Sequence, residues 1–566
     1  MTAASRAELA RIARESFDWD ELRRGQLEAM EAAAAGRDVL AVMPTGYGKS
    51  AVYQVAAVAL SGPTVVVSPL IALQADQVAG LDAAPDAPTA VVLNSTLGEK
   101  EQGRTWRAVS SQGAEFLFLS PEQLAKDEVL ERIRALAPSL VVVDEAHCVS
   151  SWGHDFRPDY LRLGGVVEAL GRPTVIALTA TAAPPVRAEI IERLGMRDPL
   201  VVARGFDRPN LHLDVVPHPG RDEKRRAVLE QVGELPLPGL VYTSTRKDTE
   251  DYAQALRERG LRADAYHAGR RAGERADVHR AFLAGELDVV VATAAFGMGI
   301  DKPDVRFVLH ADAPGSLDSY YQEVGRAGRD GEPARAVLHY RPEDLGLRRF
   351  FSATRVDEGD LRAVLGAVRR ARGPLTLTAL RERLDLPARR VTNAVNVLEE
   401  VGAVAGDRAG LRAEGRERPG QVVARVQAVV SARERVERSR VEMMRGYAET
   451  TSCRRQFLLG YFGEESADRC GACDVCDVLA AQEAGAGATH SLPLAPHRDE
   501  DAPGGGTGAD GDEFALQAPV VHTEWGPGVV MRHEGDRITV FFEQEGYKTL
   551  ARDVVTAGAL LRPAGA

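Results

Sequence analysis

The chain has 566 residues, a formal net charge of −12 and 45% apolar residues, and this length predicts three or four domains of about 150 residues each. The first 17 residues carry two glutamates and lack an apolar segment, and no run approaches the roughly 18 apolar residues of a membrane span. We therefore expect a soluble, cytoplasmic protein with no membrane partner. A nucleic-acid partner stays open despite the acidic total, because residues 408–457 hold 12 arginines against 6 glutamates.

A glycine-rich turn follows the first predicted strand. Residues 43–50 read Met-Pro-Thr-Gly-Tyr-Gly-Lys-Ser, and a helical pattern comes next. Gly46 and Gly48 let the backbone wrap a phosphate chain, which the N–H groups of the helix N-terminus attract. Lys49 is expected to reach the β- and γ-phosphates of a nucleotide, and Ser50 to ligate Mg²⁺.

An acidic pair follows an apolar strand at residues 140–143, where the sequence reads Asp144-Glu145-Ala-His. Parallel α/β sheets bind their ligands at such strand ends. Asp144 is expected to hold Mg²⁺ through water, and Glu145 to orient or deprotonate the attacking water. Together with the glycine-rich turn, this pair predicts nucleotide hydrolysis.

Strand-like and helical runs alternate twice along the chain, first over residues 1–205 and again over residues 206–350. Each of these alternating patterns predicts a doubly wound parallel sheet with helices on both faces. The two lobes join near residues 205–225, where three prolines interrupt the pattern. Two such lobes enclose a cleft, which is the usual place for a ligand whose hydrolysis must move something.

Two arginines in the second lobe, Arg326 and Arg329, lie three residues apart and share one face if they are helical. Because they lie in the second lobe, they would reach the γ-phosphate across the cleft only when the lobes close, as an arginine finger does. A solvated pair of surface arginines is the alternative.

An aromatic and basic cluster follows the acidic pair and contains Trp152, His154, Phe156 and Arg157. Because such rings stack on nucleic-acid bases, the cluster predicts a contact with a single strand. A loop that folds on its own aromatic core is the alternative.

Residues 356–415 show a helix–turn–helix pattern with a turn and a possible wing at its end, which predicts a winged-helix-like insert. The third helix of this pattern would present Arg389, Arg390, Asn393 and Asn396 outward. A three-helix packing module without a groove contact is the alternative.

Four cysteines, Cys453, Cys470, Cys473 and Cys476, follow within residues 416–480. Their spacing predicts a tetrahedral, structural Zn²⁺ site that leaves no position open for water. Residues 481–515 are rich in alanine, glycine and acids, and they predict a disordered linker. Residues 516–566 contain three strand-like runs, which predict a small β-barrel-like unit.

These motifs together resemble the RecQ family of superfamily-two DNA helicases, over about residues 9–350 and 440–480. The resemblance implies two RecA-like lobes and a motif zero in which Gln26 reads adenine while Trp19 and Arg23 contact its faces. It further implies an ATP-binding loop with Thr45, Gly46, Gly48, Lys49 and Ser50, and hydrolysis by Lys49, Asp144, Glu145, Gln322, Arg326 and Arg329. Thr179 and Thr181 would relay between the lobes. DNA would contact Ser68, Trp152, His154, Phe156, Arg157, Thr293 and Phe296.

The activity that the resemblance implies is ATP- and Mg²⁺-dependent unwinding of duplex DNA with 3′ to 5′ movement on a single strand, in DNA repair or recombination. We expect a zinc-containing monomer near the nucleoid, with a possible protein partner at the C-terminal tail. The order of domains departs from the usual bacterial pattern, because the winged-helix-like insert precedes the cysteines. An RNA helicase, a DNA-dependent translocase without strand separation and a non-enzymatic adaptor are the alternatives.

Overall fold

The computed structural model describes residues 4–60, 62–69, 71–84, 86–94, 97–111, 113–150, 157–296, 302–346, 357–407, 410–464, 466, 468–486 and 514–564. Two α/β lobes, a winged-helix insert, a helical cysteine-bearing subdomain and a C-terminal antiparallel sheet follow one another along the chain. The predicted fold class is therefore confirmed. Within these residues, every helix is too short or too polar to cross a bilayer.

The first lobe is a seven-stranded parallel sheet in the order β3-β4-β2-β5-β6-β1-β7. Its strands are β1 (Val39–Val42), β2 (Thr64–Val67), β3 (Ala90–Leu93), β4 (Phe116–Leu119), β5 (Leu140–Val143), β6 (Thr174–Thr179) and β7 (Leu200–Ala203). Its helices are α1 (Arg6–Phe17), α2 (Gln26–Ala34), α3 (Lys49–Ala59), α4 (Ile71–Ala83), α5 (Glu99–Ser110), α6 (Pro121–Leu124), α7 (Asp127–Leu136), α8 (Leu163–Ala169) and α9 (Pro184–Arg193), with 3₁₀ turns at Ala146–Val149 and Pro158–Arg162. The central strands β2, β5 and β6 are almost entirely buried, because helices cover both faces of the sheet.

The second lobe is a six-stranded parallel sheet in the order β10-β11-β9-β12-β13-β8. Its elements are β8 (Leu211–Pro217), α10 (Arg221–Glu234), β9 (Gly239–Tyr242), α11 (Arg246–Glu258), β10 (Ala263–Tyr266), α12 (Ala272–Leu283), β11 (Val289–Ala292), β12 (Phe307–His310), α13 (Leu317–Val324) and β13 (Ala334–Tyr340). The proline-containing junction is therefore shorter than the sequence suggested, since residues 211–217 form the edge strand of this sheet.

The insert consists of α14 (Glu358–Arg370), α15 (Leu377–Arg383), α16 (Ala388–Glu400) and a hairpin of β14 (Val404–Asp407) and β15 (Gly410–Ala413). The expectation that four residues of α16 face outward is only partly correct. Arg390 is held by both oxygens of Asp360, at 2.6 and 2.7 Å, and Asn393 lines a cavity with Val426 of the next helix. Arg389, Arg390 and Asn396 are exposed, and Asn393 is half-buried.

The cysteine-bearing subdomain consists of α17 (Pro419–Glu449), α18 (Arg454–Tyr461) and α19 (Asp474–Ala486). Residues 481–486, which the sequence placed in the linker, continue α19 instead. The remainder of the predicted linker, residues 487–513, lies outside the described residues.

The C-terminal unit is a five-stranded antiparallel sheet in the order β19-β18-β17-β16-β20. It contains β16 (Pro519–His522), β17 (Gly526–Glu534), β18 (Arg537–Phe542), β19 (Gly546–Ala551), α20 (Arg552–Ala557) and β20 (Leu561–Pro563). Its sheet docks on the preceding subdomain, where the guanidinium of Arg532 lies 3.6 Å from the ring centre of Phe457. The hydroxyl of Tyr547 donates to that of Tyr461 at 3.2 Å.

Candidate functional site

A cleft of about 730 Å³ lies between the two lobes. Most of the residues that the sequence assigned to nucleotide chemistry line it together: Trp19, Thr45, Gly46, Gly48, Lys49, Ser50, Asp144, Glu145, Gln322, Arg326 and Arg329. The first eight belong to the first lobe and the last three to the second. A molecule bound in this cleft would therefore contact both lobes.

The phosphate loop, residues 43–50, runs from β1 into α3. Gly46 and Gly48 both adopt φ of +78°, a left-handed conformation that favours glycine. The ammonium group of Lys49 donates to the carbonyl oxygens of Met43 at 3.2 Å and Pro44 at 3.4 Å. Burial lowers the pKa of Lys49, while Glu145 and Asp144 oppose that shift. The loop thus presents an ammonium group and helix N–H donors to one cavity, as a phosphate chain requires.

The acidic pair follows β5 directly. Asp144 is buried, and its carboxylate accepts from the backbone N–H of Glu145 at 2.9 Å and from the side chain of Gln77 at 3.2 Å. Burial and the neighbouring Glu145 raise the pKa of Asp144 to about 6. A divalent cation beside these two acids would relieve their repulsion, so the donor set suits Mg²⁺.

The arginine loop, residues 325–332, brings the second lobe to the phosphate loop. A β-carbon on Gly46 would lie 3.1 Å from Cγ of Arg329, so the two loops are in contact across the cleft. Arg326 is 2% exposed. The helix α13 ends at Val324, so both arginines lie in the turns that follow it and do not share a helical face.

Motif zero supports the phosphate loop from behind. The side-chain amide of Gln26 donates to the carbonyls of Tyr47 and Gly48, both at 2.9 Å, and Gln26 is 4% exposed. Arg23 donates to the carbonyl of Gly46, and its guanidinium lies 5.3 Å from the ring centre of Tyr47. Only Trp19 of the predicted adenine contacts lines the cleft.

A hydrogen-bonded relay connects the acidic motif to β6. Nδ1 of His147 lies 2.9 Å from the hydroxyl of Thr179 and 3.3 Å from a carboxylate oxygen of Glu145. The Thr179 hydroxyl in turn donates to the carbonyl of Thr181 at 3.1 Å. Thr179 is thus connected to Glu145 through His147, and Thr181 joins the chain through its backbone carbonyl.

The predicted DNA contacts do not form one exposed surface. Trp152, His154 and Phe156 lie outside the described residues, while Arg157 donates to the carbonyl of Pro69 at 3.3 Å. Ser68 is fully buried, and Phe296 is 2% exposed among the aromatic residues of the second lobe. Their side chains are therefore core residues in this conformation, whereas Thr293 is half-buried.

The four clustered cysteines meet at the end of the long helix α17. Their sulfur atoms all lie within 4.8 Å of one another, and all four are free thiols. Backbone N–H groups of Cys470, Ala472 and Cys476 point at sulfurs of the cluster at 3.4–3.5 Å. Four converging sulfurs with N–H donors suit thiolates that hold one Zn²⁺ ion.

Among the cleft residues that the sequence did not assign, Gln77 and Tyr53 lie next to the acidic pair. Gln77 contacts Asp144, and the hydroxyl of Tyr53 lies 3.4 Å from the Gln77 side chain.

Comparisons with known proteins agree with this architecture. Residues 23–189 match the DEAD/DEAH box helicase family, residues 224–331 the helicase conserved C-terminal domain, and residues 421–477 the RecQ zinc-binding family. The ATP-dependent DNA helicase RecQ of Pasteurella multocida is 36% identical over 461 residues, which cover 81% of this chain and 61% of that protein. The chain belongs to the RecQ family.

A second RecQ protein, from Haemophilus influenzae, is 34% identical over 81% of this chain and 62% of its own length. The chain thus spans about three fifths of the length of these RecQ relatives. Among solved structures, the DNA-bound DUF1998 helicase MrfA superposes with a TM-score of 0.51 at 18% identity, over 73% of this chain and 60% of that one. At that identity the likeness concerns the fold alone.

Proposed function

We propose that this RecQ-family chain is an ATP- and Mg²⁺-dependent DNA helicase that moves 3′ to 5′ along a single strand. The observation that carries the proposal is the contact of Arg329 with the phosphate loop, in a cleft that also holds Lys49 and the acidic pair. Such a site is complete only when the lobes close. Hydrolysis would therefore open and close the lobes, which is how a strand is moved.

The residues of the cleft divide the chemistry among them. Lys49 and the helix N–H groups hold the phosphates, and Asp144 with Ser50 would hold Mg²⁺, which neutralises charge on the phosphates. Glu145 orients the water and accepts its proton, and Arg326 and Arg329 stabilise the charge that develops on the γ-phosphoryl oxygens. Gln322, beside them, would sense the nucleotide from the second lobe.

Support for DNA as the substrate comes from the relatives, several of which are named ATP-dependent DNA helicases. The exposed arginines of the insert and the arginine-rich α17 would hold the duplex ahead of the cleft. Action on DNA would place the protein at the nucleoid and in repair or recombination. Zn²⁺ at the cysteine cluster would be structural.

Strand displacement with three substrates tests the proposal. A DNA duplex with a 3′ single-stranded tail is expected to be unwound with ATP and Mg²⁺, whereas matched 5′-tailed DNA and 3′-tailed RNA duplexes are not. Lys49→Ala should remove both hydrolysis and unwinding while it leaves the fold intact, as circular dichroism would verify. Equal unwinding of the RNA duplex would reassign the substrate, and DNA-stimulated hydrolysis without displacement would leave a translocase.

A further inference from the structure

The connector between the lobes, residues 204–210, contacts the arginine loop directly. The guanidinium of Arg208 donates to three backbone carbonyls of that loop, from Nη2 to Ala327 at 2.8 Å and Gly328 at 2.9 Å, and from Nη1 to Gly325 at 3.4 Å. These three carbonyls flank Arg326 and immediately precede Arg329. One side chain thus fixes the backbone on which both arginines stand.

Asn210 holds the same loop from its other end. Its side-chain N–H₂ group donates to the carbonyls of Gly328 at 2.8 Å and Glu332 at 2.9 Å. The approach is close, because a β-carbon on Gly328 would lie 2.4 Å from Nδ2 of Asn210. Both hydrogens of one amide therefore bind loop carbonyls, which is a role that only a donor can fill.

The far side of the connector is anchored in the cysteine-bearing subdomain. The rings of Phe206 and Phe462 stack with centroids 4.7 Å apart and planes 1° apart, and the backbone N–H of Phe206 donates to Glu464 at 3.0 Å. The hydroxyl of Tyr321, on α13, donates to the carbonyl of Phe206 at 2.7 Å. Burial of this anchor gives the connector a fixed position from which its two polar side chains reach the arginine loop.

We propose that Arg208 and Asn210 are positioning residues for ATP hydrolysis, which hold the arginine loop so that Arg329 meets the phosphate loop. The inference rests on the proposed function. Neither residue lines the cleft, so neither is expected to contact the nucleotide. Their effect is expected on the transition state, which depends on the placement of the arginines, more than on the binding of ATP.

Because the loop presents only carbonyl oxygens to Arg208 and Asn210, substitutions of these two residues should lower kcat by different amounts. Asn210→Ala removes two donors, whereas Asn210→Asp turns a carboxylate toward two carbonyl oxygens and repels them. Arg208→Lys keeps the charge, but its single ammonium group cannot reproduce a planar guanidinium that spans three carbonyls. We therefore expect kcat to fall from the wild type to Asn210→Ala and further to Asn210→Asp. Arg208→Lys should also have a lower kcat than the wild type.

Steady-state phosphate release with single-stranded DNA measures this order, and binding of a fluorescent non-hydrolysable ATP analogue gives Kd separately. A misplaced arginine loop should lower kcat by up to about a hundredfold, while Kd for the analogue and the unfolding temperature stay close to wild type. Arg204→Ala is the matched control, since Arg204 is an exposed arginine of the same connector and should keep the wild-type kcat.

Two results would overturn the inference while wild-type hydrolysis is intact. One is a wild-type kcat in Asn210→Asp and Arg208→Lys. The other is a fall in kcat that is matched by equal losses of analogue binding and thermal stability, which would indicate a merely structural role. If the wild type hydrolyses no more ATP than Lys49→Ala, the proposed function fails and the inference fails with it.

Discussion

Arg329 of the second lobe lies against Gly46 of the first, with its Cγ 3.1 Å from where a β-carbon on that glycine would stand. An arginine placed across a nucleotide cleft in this way contributes to catalysis only when the lobes are closed. The contact therefore makes Arg329 the residue whose loss should separate ATP binding from hydrolysis.

Replacing Arg329 with alanine should lower the DNA-stimulated kcat about 10³-fold or more, because arginine fingers contribute on that scale. The KM for ATP should change far less, since the phosphate loop is untouched. Steady-state phosphate release measures both quantities. Arg280→Ala is a suitable control, because the Arg280 side chain is 77% exposed on α12. A near-normal kcat in Arg329→Ala would contradict the proposed role.

Metal analysis of the freshly reduced protein should find about one zinc per chain, because four cysteine sulfurs converge. Cys473→Ser should lose most of the zinc and lower the unfolding temperature, since thiolate ligation contributes to folding. Cys148→Ser, which removes a buried cysteine outside the cluster, should retain the metal. Zinc-free wild-type protein, or equal zinc in the two variants, would refute the site.

Two neighbouring arginines of α16 should behave differently. Arg390→Ala leaves the carboxylate of Asp360, which is 5% exposed, without its bidentate partner, so the unfolding temperature should fall. Arg389→Ala removes an exposed charge and should leave thermal stability unchanged. If the insert binds duplex DNA, Arg389→Ala should weaken that binding. The slope of the logarithm of the binding constant against the logarithm of the salt concentration should then decrease in magnitude by about one.

Differential scanning fluorimetry and duplex binding over a range of salt concentrations distinguish the two arginine variants. A stable Arg390→Ala protein would show that the Asp360 pair contributes little. Unchanged duplex binding in Arg389→Ala would favour the insert as a packing module without a groove contact.

Acid should destabilise the second lobe through His339, whose ring lies 2.8 Å from that of His218. Burial, His218 and Lys224 lower the pKa of His339 from 6.5 to about 3. The folded chain thus keeps this ring neutral, whereas the unfolded chain protonates it below about pH 6.5. The contribution of His339 to the free energy of unfolding is therefore complete above pH 6.5 and is lost as the pH falls toward 3. His339→Asn should flatten the decline of the unfolding temperature over that window.

The unfolding temperatures of His339→Asn and the wild type at pH 8 serve as the reference, because the ring is neutral there in both the folded and the unfolded chain. Parallel curves for the variant and the wild type between pH 8 and 4 would contradict the proposed contribution of His339.

Local sequence patterns predicted the parts of the site that lie on consecutive residues. The phosphate loop, the acidic pair after β5 and the cysteine cluster each combine a strand or helix end with a few side chains nearby in sequence. Runs of valine and leucine also located the central strands, because both faces of a parallel sheet are buried.

Contacts between segments that are distant in sequence could not be predicted from such local patterns. The clamp of Arg208 on Gly328 joins residues 120 positions apart, and nothing in the intervening sequence marks either partner. The same limit applies to Ser68 and Phe296, which the family resemblance assigned to DNA contact and which tertiary packing buries in this structure. The edge strands β3 and β7 also went unpredicted, since short apolar runs carry little periodic signal.

Residues 472–474 of the cysteine cluster also cover the β8 edge of the sheet in the second lobe. Leu213 of β8 pairs with Cys473 in a parallel bridge, its N–H donates to the carbonyl of Ala472 at 3.2 Å, and the N–H of Val215 donates to Asp474 at 3.2 Å. Loss of the metal would release this cover and expose backbone donors of a strand edge that another chain can pair with. Zinc depletion should thus produce self-association before it produces unfolding.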